Sequence, residues 1–145
     1  MNVKFTKVKD NAKVPTQGSE QAAGYDLYAC LTSKQVILPH QTKLIHTGLA
    51  IQPPEGYFGM IVARSGIATK RGLRPANCVG ICDEDYRGEY LVAIHNDTDE
   101  IQYIEQGERI AQLIFMPYIK ANFIEVEELN ETSRGINGFG STGSK

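Results

Sequence analysis

Apolar residues along the chain recur in short runs, and several of the runs alternate with polar residues. Val3 and Phe5 alternate with Lys4 and Thr6 before the pattern breaks toward Pro15, which predicts a short opening strand and then a loop. Thr16 to Gln21 is polar. Between Gly24 and Cys30, Tyr25, Leu27 and Ala29 alternate with Asp26, Tyr28 and Cys30, the period of a strand, with Asp26 on the face opposite Leu27. Val36-Ile37-Leu38 stops at Pro39. Leu44 to Ile51 reads as another strand, closed by the turn signal Pro53-Pro54-Glu55-Gly56. Tyr57 to Ala63 is an apolar run that delivers Arg64, Ser65 and Gly66 at its end. Ser65 to Lys70 is the only helical candidate, with Ser65 as its N-cap.

Further on, Cys78 to Cys82 and Tyr90 to Ile94 are β-prone runs around Asp83-Glu84-Asp85-Tyr86-Arg87-Gly88, which reads as a hairpin with an acidic tip. His95 to Glu100 is a polar turn, Ile101 to Ile104 a short strand, Gln106-Gly107-Glu108 a turn, and Arg109 to Met116 a strand interrupted by Gln112. Phe123 to Leu129 closes the ordered part. Many short strands, no long amphipathic helix and no repeat period predict an all-β barrel or sandwich over residues 1–129. From Asn130 the composition turns to Gly, Ser, Thr and Asn, too poor in apolar surface to hold a segment down, so residues 130–145 read as a flexible arm. Arg134 and a lone Phe139 between Gly138 and Gly140 suit a lid that orders on a ligand.

Composition narrows the partners. The chain has 145 residues and a net charge of −2, which gives no bulk attraction to nucleic acid or to an anionic membrane. No run is long enough to span a membrane. Arg64, Lys70, Arg71 and Arg74 form a local basic cluster that suits a phosphorylated small molecule better than a duplex. Cys30, Cys78 and Cys82 are odd in number, and Met1-Asn2-Val3-Lys4 lacks the apolar core of a signal peptide. Free thiols packed as small hydrophobes and a cytoplasmic location are expected. The cysteines lack the neighbours of a zinc site, and Asp97-Thr98-Asp99 lacks the glycine and flanking helices of a calcium hand.

The acidic tip carries the first candidate chemistry. A turn needs polar residues but not three adjacent acids. Asp83 follows an apolar strand, where a carboxylate loses water and its pKa rises, an environment suited to a general base. Phosphate donors lie elsewhere. Arg64 and Arg134 can fork onto phosphate oxygens, Ser65 can donate its hydroxyl, and Gly66 lets the backbone approach. Ser141 and Thr142, with their glycines, can act likewise from the arm. No Walker A sequence is present. Magnesium, a hard ion usually held by phosphate oxygens, waters and few carboxylates, is the expected metal.

Beyond Gly80–Glu89, several stretches fall in one order: Ala23-Gly24-Tyr25-Asp26-Leu27-Tyr28-Ala29, then Arg64-Ser65-Gly66-Ile67-Ala68, then Gly107-Glu108-Arg109-Ile110-Ala111-Gln112-Leu113-Ile114, and Arg134-Gly135-Ile136-Asn137-Gly138-Phe139-Gly140-Ser141-Thr142-Gly143. In order and spacing, and over nearly the whole length, the chain resembles the trimeric deoxyuridine triphosphatases (dUTPases). The resemblance implies a jelly-roll-like fold, magnesium, and hydrolysis of dUTP to dUMP and pyrophosphate, which limits uracil incorporation into DNA. It implies that Asp83 activates the water that attacks the α-phosphorus. It implies that Arg64, Ser65 and Gly66 bind phosphates, that Gln112 holds a phosphate oxygen or a metal-shell water, and that Asp26 steadies a metal-bound water. Arg134, Ser141 and Thr142 clamp the β- and γ-phosphates, and Phe139 stacks on the uracil. Backbone near Gly80 and Leu91, assisted by Asn77, reads the uracil edge, and Tyr86 covers the sugar and excludes a 2′-hydroxyl. The family's trimer implies shared sites, with Asp26, Arg64 and Gln112 from one subunit, the acidic hairpin from a second and the arm from the third.

Salt bridges are expected for Arg109, Asp85 and Arg87, and core packing is the plainer role for Leu113. The chain departs from the family pattern at Cys82, where an aliphatic residue is more usual, at Ala63 for a common Pro, and at Asn137 for Gly. Two other readings compete. A dCTP deaminase or deaminase-triphosphatase of related fold needs a carboxylate beside the base, for which Glu84 and Glu89 are the close candidates. A nucleotide-binding regulator would use the fold to recruit a protein.

Overall fold

The computed structural model describes residues 1–138. The expected roles of Phe139, Ser141 and Thr142 lie outside the described residues. The strands are β1 (Lys4–Lys7), β2 (Thr16–Gln17), β3 (Tyr25–Tyr28), β4 (Gln35–Ile37), β5 (Thr42–Gln52), β6 (Tyr57–Val62), β7 (Leu73–Pro75), β8 (Val79–Cys82), β9 (Glu89–Asn96), β10 (Gln102–Ile104) and β11 (Arg109–Pro117). One helix, α1 (Ser65–Arg71), joins β6 to β7 among the described residues. None is long and apolar enough to cross a membrane.

Strand alternation decides which residues meet. Along β9, Tyr90, Val92, Ile94 and Asn96 are buried while Leu91 is exposed, so one face of the strand packs inward. The same rule turns Ile45, Leu49 and Ile51 of β5 inward, with Ile61 from β6 and Leu113 from β11 facing them. One sheet has the order β1-β5-β9-β7 and the other β2-β3-β11-β6-β8, with β4 and β10 forming a small ribbon. The all-β expectation holds, with one apolar core between the sheets. Each fully buried Leu or Ile there contributes roughly 1.5–3 kcal/mol relative to exposure.

The acidic tip is not the end of a hairpin. β8 pairs with β6, from Gly59↔Cys82 to Val62↔Val79, whereas β9 pairs with β5 and β7. Each arm finds its antiparallel partner in a different sheet, and the Asp83–Gly88 connection is far longer than the two residues of a tight hairpin turn. The two arms therefore stand apart around the acidic turn.

Other expectations are corrected locally. Ser65 is not the N-cap. Arg64 takes that place with extended backbone and no side-chain cap bond, and Ser65 is the first helical residue. Gly72, at φ 61°, closes the helix in the left-handed region that favours glycine. Cys78 is exposed, not buried. Its φ of 60° lies in a bend where Cys78 N donates to Pro75 O and Val79 N to Asn77 O. Cys30 is buried as expected and Cys82 is half-buried. After Pro117 no strand or helix follows among the described residues, and Phe123 and Leu129 are 94% and 85% exposed in the single chain.

The polar stretch from His95 to Glu100 hides a core residue. Asn96 is the last residue of β9 and is fully buried. Its Nδ2 donates to Ile37 O, Leu38 O and Glu100 O at 3.1, 3.1 and 2.7 Å, and its Oδ1 accepts from Thr98 N and Thr98 Oγ1. Asn96 thus ties the main sheet to the end of β4. Asn96→Ala leaves buried carbonyls unpaired and is expected to cost about 3 kcal/mol. A lower urea midpoint at unchanged slope is the expected readout.

Candidate active site

The sheet built on β3, β11 and β6 places one group of candidate residues. Asp26 is the cross-strand partner of Gln112, and Gln112 is that of Val62. Directly paired residues share a face of the sheet, so Asp26 and Gln112 lie side by side, next to Val62, which stands two residues before Arg64 at the N-cap of α1. Gly24 leaves room for Gln112, since a Cβ there would stand 3.3 Å from its Nε2.

Asp26 is 3% exposed, and a lone carboxylate could not stay charged at that depth. Its Oδ1 accepts from Arg64 Nε at 2.8 Å and its Oδ2 from Arg109 Nη1 at 3.2 Å. Arg64 Nη1 reaches Arg109 O at 3.4 Å, and Arg64 Nη2 has no partner among the described residues. One edge of the Arg64 fork therefore stays free to meet an anion. The expected ion pair of Arg109 is present, with Asp26. Ser65 and Gly66 lie exposed beside Arg64, and nothing within 4 Å would meet a Cβ at Gly66.

The second group surrounds the acidic turn. Asp83 is exposed, so the expected loss of water against the apolar strand does not occur within the single chain. The strand ends one residue earlier, and the turn opens to the rim. Its neighbour Glu84 is tied down instead: Glu84 Oε2 accepts from Tyr118 Oη at 2.7 Å and from Gly56 N at 2.8 Å. Those hydrogen bonds, Tyr118 first and then Gly56, hold the Glu84 carboxyl below its usual range, while the bond to Glu84 raises the Tyr118 phenol. Arg87 makes no carboxylate pair; its Nη1 donates to the carbonyls of Glu84 and Tyr86 at 2.6 and 2.9 Å, and Asp85 has no ion pair among the described residues. The salt bridges expected for Asp85 and Arg87 are thus replaced by a turn stapled through backbone carbonyls.

Tyr86 is not core. It is 44% exposed, its hydroxyl donates to Glu89 O at 3.1 Å, and its ring stacks on Tyr90 with centroids 6.1 Å apart. Glu89 is engaged as well, by His46 Nδ1 at 2.9 Å and Gly48 N at 2.7 Å. Asp83, Tyr86, Tyr90 and Leu91 line a cavity of about 210 Å³ with Ile81, Cys82 and Glu89. Burial pushes the Cys82 thiol up to about 11, so it stays neutral at neutral pH. A second cavity, of about 610 Å³, lies on the far side of Asp83 between Phe58, Tyr118 and Lys120. Among the described residues β8 is an edge strand, with Gly80 opposite Ile61 and no strand on its other edge. On the side of β9 away from β5, β7 covers only Ile94 to Asn96, so Leu91 has no strand beside it there. Asn77 is exposed at the bend that leads into β8.

The single chain sets the groups at opposite ends of the β6–β8 ladder: Arg64 follows the Val62↔Val79 pair and Asp83 the Gly59↔Cys82 pair, and the cavities beside Asp83 include neither Arg64 nor Gln112. Arg134 is exposed and its Nε bonds Asn137 O at 2.9 Å within its own turn. Among the described residues, no group of three or more His, Cys, Asp or Glu could hold a metal ion. The clasp of Glu84, Gly56 and Tyr118 was invisible in the sequence, because its members lie 28 and 34 residues apart and carry no local pattern. Tyr90 left a faint signal as a bulky phenol at an inward position of a strand.

These features define an all-β protein in which arginine and amide donors on one sheet and an exposed carboxylate between two open strand edges are the reactive surfaces. A model of the dUTPase family matches residues 10–143. The deoxyuridine 5′-triphosphate nucleotidohydrolase of Hydrogenobaculum sp. (strain Y04AAS1) is 42% identical over 145 residues, all of both chains. That of Desulfitobacterium hafniense (strain DSM 10664 / DCB-2) is 48% identical over 93% of this chain and 91% of the relative. Among solved structures, the dUTPase of Staphylococcus bacteriophage 80alpha with dUPNHPP superposes with a TM-score of 0.88 at 29% identity, over 98% of each chain. A variant dUTPase from phage phi11 of S. aureus, described with a structural Mg(II) ion, gives a TM-score of 0.79 at 25% identity over 90% of this chain and all of that one. The chain belongs to the dUTPase family, and its sandwich is the jelly-roll-like fold of those structures.

The Glu84 clasp gives a pH signature. A carboxyl held below its usual value of 4.5 stabilises the fold fully above that value and loses the contribution as pH falls through the lowered one. Glu84→Gln should therefore unfold more easily than wild type at pH 7, and the gap should close as the pH drops below 4.5. Thermal unfolding of both proteins across that range measures it.

Proposed function

We propose that the chain hydrolyses dUTP to dUMP and pyrophosphate, with Asp83 as the general base. The observation that carries this reading is the placement of an exposed Asp83 on the rim of the cavity between two unpaired strand edges, beside the half-exposed ring of Tyr86. Asp83 takes a proton from a water as the water oxygen bonds the α-phosphorus. The bond from that phosphorus to the bridging oxygen breaks, and the electron pair leaves with pyrophosphate. Exposure in the single chain suits this role once nucleotide and neighbouring chains close over the turn, because the carboxylate loses its water only when substrate is present.

Recognition divides among the groups. The free edges of β8 and β9 at Gly80 and Leu91, with Asn77, offer backbone donors and acceptors to the uracil edge. Cytosine inverts that pattern and leaves buried groups unpaired, a mismatch worth roughly 10⁴–10⁵ in discrimination. Tyr86 covers the deoxyribose. Arg64 with its free fork edge, Ser65, Gly66 and Gln112 take phosphate oxygens, joined by Arg134, Ser141 and Thr142 from the arm, and Phe139 covers the base. Magnesium fits this donor set as an ion carried in on the triphosphate, where it neutralises phosphate charge. Asp26 fits its water shell poorly, since both its oxygens face guanidinium groups; its firmer role is to aim Arg64. Glu84 and Glu89, the carboxylates a dCTP deaminase could use beside the base, are both engaged in hydrogen bonds within the chain, which favours the triphosphatase reading over that one.

The separation of the Arg64 group from the acidic turn supports a homotrimer with shared sites. So does the exposed apolar segment around Phe123 and Leu129, which has a neighbouring copy to pack on in such an assembly. Residues 130–145 act as the arm that closes over the nucleotide.

Asp83→Asn keeps shape and removes the proton acceptor. A loss of about 10²–10⁴ in kcat with dUTP binding retained is expected in pyrophosphate-release and binding assays. Co-refolding that variant in equal amounts with a protein lacking residues 134–145 should restore activity from two inactive parents. At random mixing about a quarter of the sites draw an intact turn and an intact arm from different chains. Hybrid trimers that stay inactive contradict shared sites, and near-native turnover of Asp83→Asn contradicts the assignment of the base.

A further inference from the structure

Tyr90 is the largest fully buried side chain among the described residues, at 1% exposure. It points inward from β9 with Val92 and Ile94, so its ring crosses the core from one sheet to the other. The hydroxyl ends in a notch that Gly59 of β6 leaves open. A Cβ at Gly59 would stand 3.0 Å from Leu113 Cδ1, 3.2 Å from Tyr90 Oη and 3.4 Å from the Cβ of Cys82, the residue paired with Gly59 on β8. Tyr90 thus spans the gap between the arms of the acidic turn, from β9 to the end of β8, one residue before Asp83. On its outer side its ring carries that of Tyr86, inclined by 30°.

The span has an energetic oddity. Tyr90 Oη is the buried side-chain polar atom that lacks a hydrogen-bond partner among the described residues. The Cys82 thiol beside it is a weak partner. Burial and then this thiol raise the Tyr90 phenol, yet the pair does not reach hydrogen-bond geometry. A buried hydroxyl without a partner costs stability, and phenylalanine would avoid that cost.

We propose that Tyr90 is a positioning residue for nucleotide selection: seated in the notch formed by Gly59 and Cys82, its ring fixes the height of the Tyr86 ring and the gap between β8 and β9, so that a deoxyribose fits and a ribose does not. The inference rests on the assignment of Tyr86 to the sugar made above. The depth at which Tyr90 sits is set from the opposite sheet. A methyl group at Gly59 meets Leu113 Cδ1, the tip of a flexible side chain, and Tyr90 Oη, the end of a rigid ring stacked on Tyr86, so a shift of that ring is passed to Tyr86.

The test is the ratio of kcat/KM for dUTP to that for UTP, measured on variants whose unfolding midpoints show them folded. Tyr90→Phe keeps the ring and its stack and should hold the ratio within about twofold of wild type. Gly59→Ala should lower the ratio about threefold or more, as expected when the Tyr90 ring gives way by a few tenths of an ångström, with kcat for dUTP changed far less than the ratio. Tyr90→Phe added to Gly59→Ala should restore the ratio, because removing the hydroxyl relieves the contact with the ring while the flexible Leu113 side chain turns away from the methyl. A folded Gly59→Ala with wild-type selectivity, a double variant without restoration, or a loss of selectivity in Tyr90→Phe alone each overturns the proposal. If Gly59→Ala does not fold, Tyr90→Leu, which removes the ring, decides the matter by the same ratio. Tyr86→Leu is measured in parallel. An unchanged ratio there refutes the sugar-facing role of Tyr86, whereas a lowered ratio with unaffected Gly59 and Tyr90 variants refutes the positioning role alone.

Discussion

Backbone hydrogen bonding pulls the two arms of the acidic turn apart. Strand N–H and C=O groups need partners, and in a sandwich those partners come from the sheet that each strand joins. β8 finds its ladder on β6 and β9 finds its own on β5 and β7, in different sheets. Two strands that follow one another in the chain are thereby held near each other without pairing. The edges they leave unpaired are a liability on an ordinary protein surface. Beside Asp83 and Tyr86 they are the feature that a planar base with its own donors and acceptors can complete.

The rest of the site is organised to keep that opening in shape. Glu84 ties the turn to Gly56 and Tyr118, and Arg87 staples it through carbonyls. Tyr86 rests on Tyr90, whose ring reaches the opposite sheet. On the other sheet, the buried Asp26 carboxylate holds Arg64 and Arg109 at once, so Arg64 is aimed before any anion arrives. Groups fixed before binding lose little freedom when ligand comes, which is where a preorganised site gains over a flexible one. The Arg64 group and the acidic turn lie in separate places on one chain, and that divided layout is what the proposal of shared sites rests on.

Much of the fold was legible in the chain. Period-two alternation located β1 and β3, apolar β-prone runs located β5, β6, β8, β9 and β11, and the Pro and Gly clusters located the turns between them. β2 and β7 escaped because Thr16-Gln17 is short and polar and Leu73-Arg74-Pro75 ends in a residue that argues against a strand. Asn96 escaped because a buried asparagine in the run Asn-Asp-Thr-Asp has the composition of a turn. The hairpin was misread for a more basic reason: local pattern marks two adjacent strands but carries no information about which sheet each will join. For the site, residue types singled out Asp83, Arg64 and Gln112 as candidates, while the contacts around them, Glu84 with Tyr118 and Asp26 with Arg109, depend on long-range geometry that spacing does not reveal.

The central claim is that the open edges of β8 and β9 read the base. Amide hydrogen exchange over residues 79–82 and 89–92 tests it most directly, with magnesium and a non-hydrolysable analogue of either dUTP or dCTP. The account predicts that exchange in both segments slows with the dUTP analogue and not with the dCTP analogue. Exchange that the dUTP analogue leaves unchanged, or that both analogues slow equally, would contradict it.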